Sequence, residues 1–203
     1  MTSLPAIIES VLFSADAPVS LDRLCELLHE YERADIKTVL QELATFHEER
    51  RGGFHLANVA NGWQFRTHPS LQPYVVRHVK TKSIKFSQSA LETLAIVAYR
   101  QPVTRSEIEY LRGVDCGGML RTLLEKKLVR IMGKKDIPGR PLIYGTSKEF
   151  LEIFGLKDLK SLPTLKEIQA LDDVPNFEQQ EELLLDDGNS SSAATQTTLD
   201  LAE

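Results

Sequence analysis

The sequence lacks the features that mark secreted and membrane proteins. Its 203 residues contain two isolated cysteines, Cys25 and Cys116, so neither a disulfide framework nor a cysteine metal site is expected. No apolar run approaches the roughly 20 residues that a membrane-spanning helix requires. The first residues, Met1 to Pro5, lack the basic region and the cleavage site of a secretory signal. We therefore expect a cytoplasmic protein.

The motifs of common enzyme classes are missing as well. The sequence contains no Gly-x-x-x-x-Gly-Lys-Ser/Thr phosphate loop and no Gly-x-Ser-x-Gly nucleophile turn. Its five histidines are not spaced as metal ligands; they are His29, His47, His55, His68 and His78. The composition, with 42% hydrophobic and 26% charged residues, is typical of a globular protein. The sequence therefore indicates a non-enzymatic protein without a cofactor or a metal.

Charge is unevenly distributed along the chain, although the net charge is only −5. Residues 1–79 carry 7 basic and 10 acidic side chains, whereas residues 80–168 carry 17 basic and 10 acidic ones. Residues 169–203 carry 9 acidic side chains and no basic one. This asymmetry indicates regions with separate roles. The basic residues of the middle region are equally consistent with a role in solubility alone.

The pattern of the chain is that of two related halves. Ala17-Pro18-Val19-Ser20 is echoed 84 positions later by Gln101-Pro102-Val103-Thr104. Each motif follows an amphipathic helix and precedes a short helix, a third helix and a β-hairpin. In the first half the hairpin turns at Asn61-Gly62, a pair that type I′ turns favour. One more helix closes each half.

This order of elements predicts winged-helix domains. The predicted fold is mainly α-helical with small β-hairpins, and it consists of two tandem winged-helix domains. They occupy residues 1–79 and 87–168, joined by a linker at residues 80–86. From residue 169 the acidic, low-complexity sequence predicts a disordered tail.

The helices of the second half are predicted in more detail. Its first helix places one apolar stripe on a buried face, formed by Leu91, Leu94, Ala95, Ala98 and Tyr99. The second helix begins at a capping box, Thr104 with Glu107, and buries Ile108 and Leu111. A second capping box, Thr146 with Glu149, is predicted to start the last helix.

The apolar stripe does not account for every apolar residue of that first helix. Ile96 and Val97 lie off the stripe, so the helix is apolar nearly all round. Such a helix either passes through the middle of its domain or is covered by a partner on its second face.

A winged helix can bind DNA through its third helix and its wing. In the first half the exposed side of the third helix repels phosphate, because it carries Glu32, Asp35, Glu42 and Glu49. The second half offers Arg121 on its third helix, whose two initial glycines permit close approach of a partner. Its wing, residues 133–141, is basic. The residues of the wing either contact the phosphates of DNA or are needed for the geometry of the turn and for solubility. The candidate partner contacts are Ile96, Val97, Tyr99, Arg121, Lys134, Lys135 and Arg140.

Residues 87–165 resemble a known family. The stretch from Leu91 to Ile108, the segment from Asp136 to Thr146 and the block from Lys148 to Leu156 are closely similar to segregation and condensation protein B. The first half matches more loosely. The sequence departs from the family at the start of the third helix. The family usually has polar residues and at most one glycine there, whereas this chain has Cys116-Gly117-Gly118.

The resemblance implies a non-catalytic scaffold subunit for chromosome condensation and partition. It implies a homodimer formed mainly through the first domain, and a second domain that binds the kleisin partner, segregation and condensation protein A (ScpA). With an SMC ATPase these subunits form a condensin-like complex at the nucleoid. DNA binding is then expected to be weak and sequence-independent. The alternative is a winged-helix transcriptional regulator that binds a specific DNA sequence.

Overall fold

The computed structural model describes residues 3–79, 86–164 and 167. The chain divides into two units, Met1–Leu162 and Pro163–Glu203. The first unit holds every helix and sheet described below. Of the second unit only residues 163, 164 and 167 are described, where the Thr164 amide donates a 2.6 Å hydrogen bond to the Glu167 carboxylate. Most of the predicted linker and the whole predicted tail, residues 169–203, lie outside the described residues.

The first half combines four helices with a three-stranded antiparallel sheet. The sheet order is β1-β3-β2. The elements are α1 (Leu4–Ser14), β1 (Val19–Ser20), α2 (Leu21–Leu27), α3 (Arg33–Glu49), β2 (Phe54–Val59), β3 (Gly62–Thr67), a 3-10 turn (Pro69–Leu71) and α4 (Gln72–Val79).

The second half repeats this order up to its second hairpin strand, after which the last helix precedes the 3-10 turn. Its sheet has the order β4-β6-β5, with a bulge in β5 between Ile131 and Gly133. The elements are α5 (Gln88–Arg100), β4 (Val103–Thr104), α6 (Arg105–Arg112), α7 (Gly117–Glu125), β5 (Val129–Lys134), β6 (Leu142–Thr146), α8 (Lys148–Ile153) and a 3-10 turn (Leu159–Ser161). The predicted mixture of helices and small antiparallel hairpins is thus confirmed. No helix in the described ranges is long and apolar enough to cross a membrane.

Side-chain caps explain where several helices begin. The Thr104–Glu107 capping box is present at the start of α6, as predicted. The predicted box at Thr146 and Glu149 is wrong, because α8 begins one residue later. Its cap is Ser147, whose hydroxyl oxygen accepts a 3.1 Å hydrogen bond from the Phe150 amide.

The first hairpin turns one residue earlier than predicted. Its central residues are Ala60 and Asn61, with φ of 50° and 58°, as a type I′ turn requires. Gly62 instead begins β3 and pairs with Val59 and Ser20. A Cβ at Gly62 would lie 2.9 Å from the carbonyl carbon of Pro18. Glycine is therefore required here for the close approach of β1.

The buried face of α5 also differs from the predicted stripe. It consists of Ala90, Thr93, Leu94, Val97 and Ala98, whereas Leu91 and Tyr99 are substantially exposed. Thr93 is fully buried, and its hydroxyl donates a 2.8 Å hydrogen bond to the Ser89 carbonyl. A threonine whose hydroxyl is satisfied within its own helix can face the core with its methyl group.

Two apolar clusters form the core, and the first hairpin connects them. One cluster lies within the first half, among α1, α2, α3 and the sheet. The other belongs to the second half but includes Val59 and Ala60 from the tip of the first hairpin. The Ala60 and Asn61 amides donate hydrogen bonds of 2.9 and 2.8 Å to the Leu156 and Lys157 carbonyls. The wing of the first half is thus packed against the second half.

Candidate partner-binding surfaces

An open groove lies between the end of α5, strand β4 and helix α6. We call it the α6 groove; it has a volume of about 430 Å³ and is lined by Arg100, Pro102, Val103, Ser106, Glu107, Tyr110 and Leu111. Val103 is buried, whereas Tyr110 is 87% exposed and Leu111 is half exposed. The groove therefore combines an apolar residue that is already buried with a large aromatic side chain that lies almost entirely in solvent.

A charged network fixes one edge of the α6 groove. One Glu107 oxygen accepts hydrogen bonds from the Thr104 amide (2.7 Å) and hydroxyl (2.9 Å). The other accepts a 2.6 Å hydrogen bond from the Lys135 ammonium, which ties the wing to α6. The hydrogen bond from Lys135, followed by those from Thr104, lowers the pKa of Glu107 from 4.5 to about 2. This edge is therefore ionised and held in place at neutral pH.

The predicted contacts on α5 are divided between surface and core. Tyr99 is 42% exposed, next to Arg100 of the α6 groove. Ile96 is half-buried and packs against the second cluster. Val97 is fully buried in that cluster, so it contributes to the core and offers no surface to a partner. Ile96 and Val97 thus pack within the protein, whereas the face with Leu91 and Tyr99 is exposed.

The predicted basic contacts are dispersed. Lys135 reaches the α6 groove through Glu107, and Lys134 ends strand β5 beside it. Arg140 lies in the wing turn with a φ of 39°. Arg121 is exposed on α7 and pairs with Glu125 at 3.0 Å. Of these four residues, only Lys135 contacts a residue that lines the groove.

One of the two glycines at the start of α7, Gly117, lies close to another side chain of the protein. A Cβ at Gly117 would lie 2.9 Å from the Arg105 guanidinium. That guanidinium pairs with Asp115 and with Glu109, so it crosses directly over the start of α7. At Gly118 a Cβ would meet no atom within 4 Å. The close approach that Gly117 permits is therefore made by the chain itself.

The sequence interpretation missed two residues of the groove. Leu111, which the helical pattern predicts to be buried, is half exposed, and Tyr110, which the pattern does not single out, is 87% exposed. The available signal was the placement of Tyr110 beside Leu111 on a short helix with charged neighbours. Tyr110 is two positions from the buried Ile108, so on a helix it points to nearly the opposite side.

The first half carries a separate aromatic surface, which we call the aromatic face. Phe13 is 81% exposed, and Phe46 and Phe54 are about half exposed. Phe13 and Phe54 line a hollow of about 220 Å³ together with Phe65. The rings of Phe46, Phe54 and Phe65 surround the buried His47, whose Nε2 lies 2.9 Å from the Glu9 carboxylate. Exposed aromatic side chains of this density are typical of an interaction surface.

The described residues contain no group of three or more side chains that could hold a metal ion. Both cysteines are free thiols. Burial raises the pKa of the Cys116 thiol, and the nearby Glu109 carboxylate raises it further. Cys116 is therefore held as a neutral thiol and packs as a small apolar residue.

Comparisons with known proteins agree on one family. The model of the family described as "Segregation and condensation complex subunit ScpB" matches residues 6–165. Segregation and condensation protein B of Syntrophotalea carbinolica is 52% identical over 168 residues, which are 83% of this chain and 85% of that protein.

Two solved structures are also similar. ScpB from Mycobacterium tuberculosis is 34% identical, with coverage of 75% of this chain and 95% of that chain and a TM-score of 0.36. A dimer of an ScpB N-terminal domain complexed with an ScpA peptide is 25% identical, with coverage of 36% and 91% and a TM-score of 0.34.

Proposed function

Since the chain belongs to the ScpB family of segregation and condensation complex subunits, we propose that it is a non-catalytic scaffold. It forms a homodimer, binds the kleisin ScpA and thereby joins an SMC ATPase in a condensin-like complex. This complex acts in the cytoplasm, at the nucleoid. ATP chemistry belongs to the SMC subunit, which agrees with a sequence that lacks nucleotide-binding and nucleophile motifs.

The scaffold is proposed to consist of two winged-helix domains, residues 1–79 and 87–168. Each half has its own three-stranded sheet and its own apolar cluster, which supports this division. The hydrogen bonds of Ala60 and Asn61 to the second half hold the domains together. A rigid pair of domains presents two binding surfaces in a fixed relationship, which reduces the entropic cost of binding two partners at once.

The homodimer is proposed to form through the aromatic face. Phe13, Phe46 and Phe54 expose apolar rings that a second copy would remove from water. An aromatic side chain buries about 150–250 Å² when it is fully covered. Because Phe46 and Phe54 are already about half buried, the three rings supply only part of the roughly 800 Å² per partner of a standard interface. A dimer with a twofold axis needs no second kind of surface, because the same face of each copy contacts the other.

The kleisin is proposed to bind in the α6 groove. The observation that carries this proposal is Tyr110, a side chain that is 87% exposed beside the buried Val103. Tyrosine and arginine are among the residues that most often dominate interface energies, and Arg100 also lines the groove. An apolar side chain of ScpA can cover Val103 and Leu111, while Tyr110 closes over it.

A titration of the full chain with the central fragment of ScpA tests this assignment. Replacing Tyr110 with glutamate should weaken binding by at least about 30-fold, which corresponds to about 2 kcal/mol. The matched control is Ile153→Glu, because Ile153 is an exposed apolar residue of the same half that does not line the groove. Equal losses of affinity for ScpA in both variants would show that ScpA does not bind in the α6 groove.

A further inference from the structure

A second, larger cleft lies where the tip of the first hairpin meets the second half. This junction cleft has a volume of about 970 Å³, with Ala60 and Asn61 on one wall. The end of α7, strand β5, the start of α8 and the last 3-10 turn complete it. Its lining carries four basic residues, Lys127, Arg130, Lys148 and Lys160. It shares no lining residue with the α6 groove.

The four basic residues retain most of their capacity to bind an anion. Arg130 donates through Nε to the Thr146 carbonyl at 3.2 Å, and this contact leaves its two terminal amino groups available. Lys148 is 4.0 Å from Glu152, the longest ion pair of the described chain. No carboxylate in residues 3–79 or 86–164 pairs with the ammonium of Lys127 or Lys160. The cations are therefore weakly neutralised.

The two acidic residues of the lining oppose these charges only in part. One oxygen of Asp158 accepts hydrogen bonds from the Lys160 amide and from the amide and hydroxyl of Ser161. Its carboxylate is thus engaged in capping the 3-10 turn. Glu149 is the other acidic residue. The lining has a formal excess of two positive charges.

Lys127 occupies a backbone conformation that usually selects glycine. It follows the end of α7 with a φ of 57°, the left-handed geometry in which many helices end, usually at a glycine. A residue with a Cβ in this region costs about 1 kcal/mol or more. The Ser147 hydroxyl donates to the Lys127 carbonyl and helps to hold this geometry. This geometry holds Lys127 in place beside the other basic residues of the lining.

The arrangement favours an extended polyanion. The cations come from four different elements around the cleft, namely the turn after α7, strand β5, helix α8 and the last 3-10 turn. The lining contains no aromatic side chain on which a single-stranded base could stack. Three of the four basic residues are lysines. A lysine acts as a point charge and lacks the planar donor geometry with which arginine makes specific contacts. We propose that the junction cleft binds the phosphate backbone of duplex DNA without reading its sequence.

This proposal places DNA away from the basic wing. Lys135 of the wing already forms a 2.6 Å ion pair with Glu107, and the adjacent Asp136 adds a negative charge. Lys135 is therefore already neutralised in part. The DNA site is independent of the proposed kleisin site, so the two can be tested separately.

The test is a salt titration of the full chain with a labelled duplex of mixed sequence. In Lys148→Gln/Lys160→Gln, the association constant at low salt should fall roughly tenfold, and the slope of log K against log salt should decrease by about 2. The charge-matched control is Lys37→Gln/Arg50→Gln in the first half. The wing variant is Lys134→Gln/Arg140→Gln. Both should change binding much less.

Each other outcome overturns the proposal. If the wing variant or the control variant loses as much affinity as the cleft variant, the cleft is not the DNA site. If a polyglutamate peptide displaces the duplex at equal salt and depends on the same lysines, the cleft binds an acidic protein segment instead. Melting curves of all three variants check that the fold is unchanged.

Discussion

The guanidinium of Arg66 donates a 2.7 Å hydrogen bond to the main-chain carbonyl of Glu152. The two residues are 86 positions apart, and the bond joins strand β3 of the first half to the end of α8 in the second. A helix leaves its last carbonyls without partners and has a negative end, so a cation is favourable there. Together with Ala60 and Asn61, Arg66 fixes the orientation of the two halves.

Replacing Arg66 with alanine is expected to destabilise the whole protein. The change removes a hydrogen bond from a charged donor, which contributes about 1.5 kcal/mol, while the Glu152 carbonyl keeps a 3.3 Å hydrogen bond from the Gly155 amide. Urea unfolding followed by circular dichroism measures the free energy of unfolding. The control is Arg23→Ala, which removes only an exposed ion pair with Glu26. This variant should change the free energy of unfolding little. If the two variants are equally stable, the contact at Arg66 does not hold the halves together.

The corrected face of α5 gives a second prediction. Val97→Ala should lower the free energy of unfolding by about 2 kcal/mol, because Val97 is fully buried. Leu91→Ala removes a larger side chain, but it should cost less because Leu91 is 39% exposed. The same urea titration compares them. A greater loss in the Leu91 variant would support the stripe that the sequence predicted.

The sequence could not distinguish these two faces of α5. The predicted and observed faces share Leu94 and Ala98, and they differ by a rotation of about one residue. Thr93 concealed the correct face, since a polar residue in the middle of an apolar stripe argues against burial. Its hydrogen bond to Ser89 removes that objection, but this bond is known only once the helix is built.

Other parts of the fold and of the site differ in how far they could be predicted. The order of helices and hairpins and the Thr104 cap follow from local patterns, and both were predicted. The burial of Ala60 depends on contact with a segment nearly 100 residues away, so no local pattern reveals it. Tyr110 was missed because its exposure is a property of the folded surface and not of helical periodicity.

Acid should weaken the network at Glu107. Its pKa is lowered from 4.5 to about 2 in the folded protein, so its ionised form stabilises the fold. That contribution is complete above pH 4.5 and is lost as the pH falls from 4.5 through about 2. The melting temperature of Glu107→Gln should therefore fall less steeply over this range than that of the unmodified protein. The control is Glu42→Gln, an exposed carboxylate of the first half.

A nuclear magnetic resonance titration gives a direct readout of the same network. In Lys135→Ala, the pKa of Glu107 should rise toward 4.5, because the hydrogen bond from Lys135 is the main cause of its depression. An unchanged titration in this variant would show that Lys135 does not interact with Glu107 in solution.

The aromatic face predicts the effect of a single charge on self-association. Phe13→Asp places a carboxylate at the centre of the proposed dimer surface and should give a monomer at micromolar concentration. The matched control is Tyr74→Asp, since Tyr74 is an exposed aromatic residue of the same half that does not line the hollow beside Phe13. Light scattering measures the mass. A dimer that survives Phe13→Asp, or one that Tyr74→Asp disrupts equally, would place the seam elsewhere.

The central claim is that this chain is a scaffold for a kleisin and not a sequence-specific regulator. The most direct measurement is a pair of titrations of the full chain, one with an ScpA fragment and one with duplexes of varied sequence, at physiological salt. The account predicts saturable binding of ScpA at micromolar concentration or below, and weak binding of all duplexes alike, which decreases steeply with salt. Binding of one duplex at about 10⁻⁸ M or tighter, with no affinity for ScpA, would contradict it.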